Sequence, residues 1–134
     1  MNNLKPARLN KGDTIAVLSP SWGGPSIFPH IYARGIQNLR ELLSLKIMEY
    51  PTAQMGTDQL YREPRRRAED INKAFADDNI KAIVASIGGD DSVRILPHLN
   101  TGIITNNKKI FLGYSDSTSI LCYLNMLGLV TFHG

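Results

Sequence analysis

Apolar residues along this chain fall into two patterns: short continuous runs, and positions that recur every three or four residues. Thr14-Ile15-Ala16-Val17-Leu18, Ala82-Ile83-Val84-Ala85-Ser86-Ile87 and Ile110-Phe111-Leu112 are of the first kind. A strand covered on both faces reads this way, because neither side of its pleat meets water. Lys46-Ile47-Met48-Glu49-Tyr50, closed by Pro51, and Leu129-Val130-Thr131-Phe132 are predicted as two further short strands. Helical periods lie between them. Tyr32, Ile36, Leu39 and Leu43 follow the i, i+4, i+7, i+11 spacing of one face inside a helix predicted over 30–45, with Arg34, Gln37, Arg40 and Glu41 elsewhere. Pro64 suits the first turn of a second helix, where its missing N–H costs nothing. Ala68, Ile71 and Phe75 form that helix's apolar stripe, with Asp70 and Lys73 turned outward, and Asp77-Asp78-Asn79 ends it. A short helix is expected through Val93, Leu96 and His98. A last one runs through Leu121, Leu124 and Leu127, with Gly128 as its C-cap. Residues 1–13, 51–63 and 99–108 are polar and without period, and are predicted as loops.

Strand and helix alternate from end to end. That order predicts an α/β fold: a parallel sheet with helices on both faces, a flavodoxin- or Rossmann-like three-layer domain. At 134 residues, with no repeat or low-complexity segment, residues 1–134 are expected to form one domain. An apolar fraction of 43% and a charged fraction of 20% are those of an ordinary globular protein. The net charge of +3 is mild. Part of it comes from Arg62, Arg65, Arg66 and Arg67, read as a solvated helix start, because no aromatics interleave them and only Tyr61 sits near; no nucleic-acid partner is expected. Cys122 is the single cysteine, which rules out an intrachain disulfide, and its apolar setting predicts a small core residue. Lys5, Arg8 and Lys11 break up the start of the chain and no apolar run is long enough to span a bilayer. No membrane association is expected, and the cytoplasm is the expected compartment.

Three strand-to-helix turns carry small polar residues: 19–24, 88–92 and 113–118. In a parallel sheet all three lie on one edge, where open α/β sheets bind ligands. In Gly113-Tyr114-Ser115-Asp116-Ser117-Thr118, a serine stands between a buried strand and a helix N-terminus, the layout of a nucleophile elbow. Ser115 is therefore the candidate nucleophile. The N–H of Asp116 at the helix start, and that of Gly89 in Gly88-Gly89, are candidate oxyanion donors. A tight turn is the plainer reading of the two glycines. The spacing fits neither a dinucleotide fingerprint nor a P-loop. Asp90, Asp91 and Ser92 are candidate substrate contacts. The two carboxylates suit an ammonium group or a metal ion, but capping of the next helix is the reading their position favours. No His or Cys stands at metal-ligand spacing beside them, so no metal or other cofactor is expected. A serine nucleophile needs a base. His30, His98 and His133 are the only histidines, and none is placed as one.

Several segments, in this order, resemble the N-terminal half of the LD-carboxypeptidase family of serine peptidases, which includes the microcin C self-immunity proteins. They are Leu9-Asn10-Lys11-Gly12-Asp13-Thr14-Ile15, Ser19-Pro20-Ser21, the stretch from Arg67 to Asp77, Ile80-Lys81-Ala82-Ile83, Gly88-Gly89-Asp90-Asp91-Ser92, Gly113-Tyr114-Ser115-Asp116 and Phe132-His133-Gly134. The resemblance implies that Ser115 is the nucleophile and that the N–H groups of Gly89 and Asp116 form the oxyanion hole. The Gly-Gly-Asp-Asp-Ser form is more similar to the microcin-immunity branch than to the murein tetrapeptide branch. The implied substrate is a small peptide or peptidyl-nucleotide, and a homodimer is implied. Family members have a second, C-terminal domain that supplies a catalytic Glu and His. Residues 1–134 hold none, so this stretch is expected to be the nucleophile-bearing domain and inactive alone. Two other readings stay open: a non-catalytic flavodoxin-like module for a small anionic ligand, and an interaction domain.

Overall fold

β1 (Thr14–Leu18) lies second in a five-stranded sheet, ordered β2-β1-β3-β4-β5, in which every pairing is parallel. The other strands are β2 (Lys46–Glu49), β3 (Ile80–Ala85), β4 (Ile110–Gly113) and β5 (Phe132–His133). The computed structural model describes residues 4–134, so the polar start expected for 1–13 is seen from Leu4 onward and its first three residues lie outside the description. β1 is continuously apolar because it is central and buried. β2 is one of the two edge strands and keeps Lys46, Met48 and Glu49 exposed.

Helices cover both faces. α1 (Gly24–Ile27) and α2 (Pro29–Leu42) follow β1, and α2 sets Ile36 against Ile15, Val17 and Ala82 on one face. Beyond β2 come α3 (Thr57–Arg62), α4 (Pro64–Ala76), the 3-10 helix Ser92–His98, α5 (Thr101–Asn106) and α6 (Thr118–Met126), with two shorter 3-10 turns at Pro51–Gln54 and Ser115–Ser117. On the opposite face Ile71 and Phe75 of α4, Ile95, Ile104 of α5 and Ile120 and Leu124 of α6 pack with Leu18, Ile83 and Phe111. Phe75 and Phe111 stack there with ring centroids 6.3 Å apart. The predicted α/β sheet with helices on both faces is the observed one, and its order is the flavodoxin-like one. The order reverses between β1 and β3: β1 connects outward to β2, and the chain then crosses back to β3. A crevice opens at such a reversal, beyond the carboxyl ends of the strands.

Several expectations are corrected. The loop predicted over 51–63 contains the 3-10 helix Pro51–Gln54 and α3, and that over 99–108 contains α5. Elements of four to six residues are too short to show a period. Tertiary burial of Thr52, Ala53, Leu60 and Ile104 defines them instead. α2 stops at Leu42, because Ser44 takes a left-handed φ of 54°. Leu43 is consequently exposed and not on the apolar face. The strand predicted over 82–87 runs from Ile80 to Ala85. The final strand is only Phe132–His133, since Leu129 forms an isolated parallel bridge with Leu4. Cys122 is exposed rather than core: α6 turns Ile120, Leu121 and Leu124 inward. Arg67 is wholly buried rather than solvated, and Asp70 is buried rather than turned outward. Gly128, at φ 90°, is the expected C-cap residue of α6. Its N–H bonds to the carbonyl of Asn125 and that of Leu129 to the carbonyl of Leu124, the two bonds of a Schellman motif.

Candidate active site

β4 ends at Gly113, and the backbone turns at once into the 3-10 helix Ser115–Ser117, which runs on into α6. The turn is tight enough that a Cβ on Gly113 would lie 2.8 Å from that of Ser117. Ser115 sits at φ 57°, in the left-handed region that non-glycine residues rarely occupy. Its side chain is exposed, and its hydroxyl makes no hydrogen bond among the described residues. Glycine, asparagine and aspartate are the usual occupants of this region, and the Ser115 side chain has no local hydrogen bond among the described residues to favour it. The strand on one side and the helix on the other hold it there.

The Gly88-Gly89 turn after β3 packs directly against this one. A Cβ on Gly88 would lie 2.9 Å from the Cβ of Ser115 and 3.2 Å from the N of Asp116. A Cβ on Gly89 would lie 2.1 Å from Ser21 Oγ. Two glycines are thus required by close approach of three loops, not by the turn alone. The N–H of Asp116 belongs to the first turn of a helix, where N–H groups have no intrahelical acceptor. No turn or side-chain hydrogen bond among the described residues engages it or the N–H of Gly89.

The third loop, after β1, joins through polar contacts. Trp22 donates its N–H to the carbonyl of Gly88 at 3.1 Å. Ser21 Oγ donates to Asp116 Oδ2 at 2.5 Å, and the N–H of Ser92 donates to the same oxygen at 2.9 Å. Ser92 Oγ donates to the carbonyl of Asp116 at 2.7 Å. Ser19 Oγ and Ser86 Oγ lie 2.7 Å apart, and the N–H of Ser19 donates to Thr52 Oγ1 at 3.1 Å. Beneath, the N–H of Thr52 donates to the buried Asp70 carboxylate at 2.8 Å.

The acidic candidates part company. Asp91 does not cap the helix that follows. Instead Arg67 Nη1 and Nη2 each donate to one of its oxygens at 2.9 Å, and Arg94 Nη1 donates to its Oδ2 at 2.9 Å. Arg67 Nη1 also donates to the carbonyl of Pro20 at 3.0 Å, so one buried guanidinium ties α4 to two of the three loops. Ser92 is buried and committed to Asp116. Asp90 is exposed and makes no hydrogen bond among the described residues. Those residues gather no group of three or more His, Cys, Asp or Glu side chains that could hold a metal ion.

The three histidines are dispersed. His30 is exposed at the start of α2, and His98 ends a 3-10 helix whose carbonyl accepts from Asn72. His133 pairs in register with Gly113, and its ring lies 5.2 Å from that of Tyr114. It is thus a neighbour of the Ser115 turn, without a hydrogen bond to Ser115. Sequence reasoning brought Ser115, Asp116, Gly89, Asp90, Asp91 and Ser92 to one edge, and the structure places them there. It gave no individual role to Ser21 and read Arg67 as solvated. Helical spacing carried a signal for Arg67, which stands four and seven residues before Ile71 and Ala74 on the inner face of α4. Ser21 lay within the 19–24 turn already placed on this edge, but nothing local set it apart from its neighbours as a contact of Gly89 and Asp116.

Residues 15–134 match the LD-carboxypeptidase N-terminal domain. The chain is 36% identical over 134 residues to a probable murein peptide carboxypeptidase of Bacillus subtilis, a match covering 98% of the chain and 40% of the relative. It is 33% identical to the microcin C7 self-immunity protein MccF of Escherichia coli, covering 98% of the chain and 38% of the relative. Among solved structures, a MccF-like protein of Streptococcus pneumoniae in complex with AMP superposes with a TM-score of 0.82 at 38% identity, over 92% of this chain and 37% of that one. MccF in complex with aspartyl sulfamoyl adenosine gives 0.84 at 31%, over 96% and 38%. The chain therefore spans about two fifths of the length of the relatives it matches.

Proposed function

The chain belongs to the LD-carboxypeptidase family, whose N-terminal domain it matches, and on that premise we propose that Ser115 is the nucleophile of a serine-type carboxypeptidase or amidase. The observation that carries this reading is the left-handed, exposed Ser115 at a strand-to-helix turn, with Gly88 packed against it. In the proposed reaction Ser115 Oγ attacks the carbonyl carbon of an amide and gives its proton to a base. The carbonyl oxygen becomes an oxyanion, accepting hydrogen bonds from the N–H groups of Gly89 and Asp116. The C–N bond then breaks, the amine leaves with the proton, and water hydrolyses the acyl-serine ester to free the carboxylate and restore the serine.

Ser115 has no hydrogen-bonded base among the described residues. The base is therefore assigned to a C-terminal domain of the full-length protein, which supplies a Glu and a His, as the sequence resemblance implies. Residues 1–134 act as the nucleophile-bearing domain and turn over negligibly alone. The proposed substrate is a small peptide or a peptidyl-nucleotide. The complexes of the MccF proteins with AMP and with aspartyl sulfamoyl adenosine support the second of these. Asp90, the one acidic residue of the 88–92 turn whose carboxylate no described residue engages, is the proposed contact for a substrate ammonium group.

Ser115→Ala in the full-length protein is expected to lower kcat on the order of a million-fold, as loss of a triad serine does. An aryl fluorophosphonate should label wild type at Ser115, with the mass shift located by peptide mapping. Hydrolysis left intact by Ser115→Ala would overturn the assignment.

A further inference from the structure

The proposed mechanism uses the backbone N–H of Asp116 and leaves its carboxylate unexplained. That carboxylate caps neither its own 3-10 turn nor α6. Its bonds run outward instead, from Oδ2 to Ser21 on the β1 loop and to the N–H of Ser92 on the β3 loop. Ser21 is only 3% exposed, and its hydroxyl is seated against Gly89 so closely that no Cβ would fit there. One buried hydroxyl thus touches both segments that present the candidate oxyanion donors: it bonds to the side chain of Asp116 and abuts the Cα of Gly89. Ser92 closes the ring from the other side, giving its N–H to the Asp116 carboxylate and its hydroxyl to the Asp116 carbonyl.

Resting on the reading of Ser115 as nucleophile, we infer that Ser21 and the Asp116 carboxylate are positioning residues. They form a clamp that sets the separation of the Gly89 and Asp116 N–H groups and holds the Ser115 turn in its left-handed conformation. Two physical points support it. A serine at φ 57° stays there only when its surroundings over-determine the backbone. Oxyanion donors act by pre-organisation, so their effect depends on where they point before the charge develops. Neither Ser21 nor the carboxylate touches the substrate in this scheme, so both should influence the rate of bond formation and not the affinity.

The test uses the full-length protein and an aryl fluorophosphonate, whose phosphoryl oxygen occupies the oxyanion position as Ser115 is phosphonylated. Ser21→Ala and Asp116→Ala are expected to lower the limiting rate of phosphonylation ~10- to 100-fold, the scale of a misplaced catalytic geometry, with the half-saturating concentration changed by less than about twofold. Asp116→Asn should recover most of the rate, because its carboxamide oxygen can accept both bonds. Near-UV circular dichroism checks that each variant is folded. Should Asp116→Ala not fold, Ser21→Ala, which removes a single oxygen atom, carries the test. Wild-type rates in the alanine variants would overturn the clamp while leaving the nucleophile assignment in place. So would an Asp116→Asn variant as impaired as Asp116→Ala. Absence of any label on Ser115 in wild type would overturn the nucleophile assignment and the clamp with it.

Discussion

Arg67 shows how much one side chain can hold. It is the largest fully buried side chain of the described residues, and its charge is met by a two-pronged pair with Asp91 and by the Pro20 carbonyl. Without it Asp91 keeps only Arg94, the Pro20 carbonyl loses its donor and a fully buried side-chain volume is left empty, which together cost roughly 3–5 kcal/mol. Arg67→Ala should therefore lower unfolding stability by about that much in urea titration. Arg67→Lys should not restore it, because one ammonium cannot reproduce the planar fork. A variant within about 1 kcal/mol of wild type would show that the pair contributes little. The sequence placed Arg67 in a basic run, and a basic run normally faces water. Its partner lies 24 positions away, a separation over which sequence offers no pairing signal.

At the scale of elements, the longer helices and the central strands were legible because each repeats its pattern over enough positions. α4 shows this in Ala68, Ile71 and Phe75, and β1 in its unbroken apolar run. The short helices α3 and α5 were not. Asn100 caps α5 by accepting from the N–H of Ile103 at 3.0 Å, a signal that the turn-forming Gly102, Asn106 and Asn107 beside it obscure. Terminators were easier to read. Gly128 ends α6 at φ 90°, and a Cβ placed there would meet nothing within 4 Å. Gly128→Ala should thus carry a purely conformational cost of about 1–2 kcal/mol, the left-handed penalty for an L-residue, measurable by chemical denaturation. A neutral outcome would mean that the Schellman turn relaxes on substitution.

For the whole molecule, burial on the two faces of the sheet sets the response to base. Burial, and then the neighbouring Glu49, push the Tyr32 hydroxyl far above its ordinary value of 10.0. Burial, then Asp77 and Asp70, raise that of Tyr50. In both cases the folded state keeps a proton that the unfolded chain releases above pH 10. Their contribution to stability is complete below that pH and is lost as pH rises beyond it. Lys109 acts in the opposite sense. Burial lowers its pKa, so the unfolded chain holds a proton that the folded state gives up, and its contribution improves as pH approaches 10.5. With two tyrosines against one lysine, thermal stability should fall above pH 10. Tyr32→Phe with Tyr50→Phe should flatten that limb. An unchanged alkaline limb in the double variant would remove the tyrosines as its cause.

What the sequence determined by itself follows from local repetition and steric rule. Periodicity marked the strands and long helices, alternation implied a parallel sheet, and small residues after three strands placed a candidate site on one edge around Ser115. These are properties of neighbouring residues, and neighbours in sequence are neighbours in space. Tertiary structure alone decided the rest. The chain order does not state that β1 lies between β2 and β3, and that order is what brings Ser21 against Gly89 and Asp116. Nor could it show that Asp91 is matched to Arg67 and Arg94, while Asp90 pairs with none of the described residues, because desolvation decides which charges must pair, and burial is known only after folding. The Ser115 turn was legible as a presented serine. That three loops interlock to hold it was not, since close approach between distant segments is a fact of packing alone.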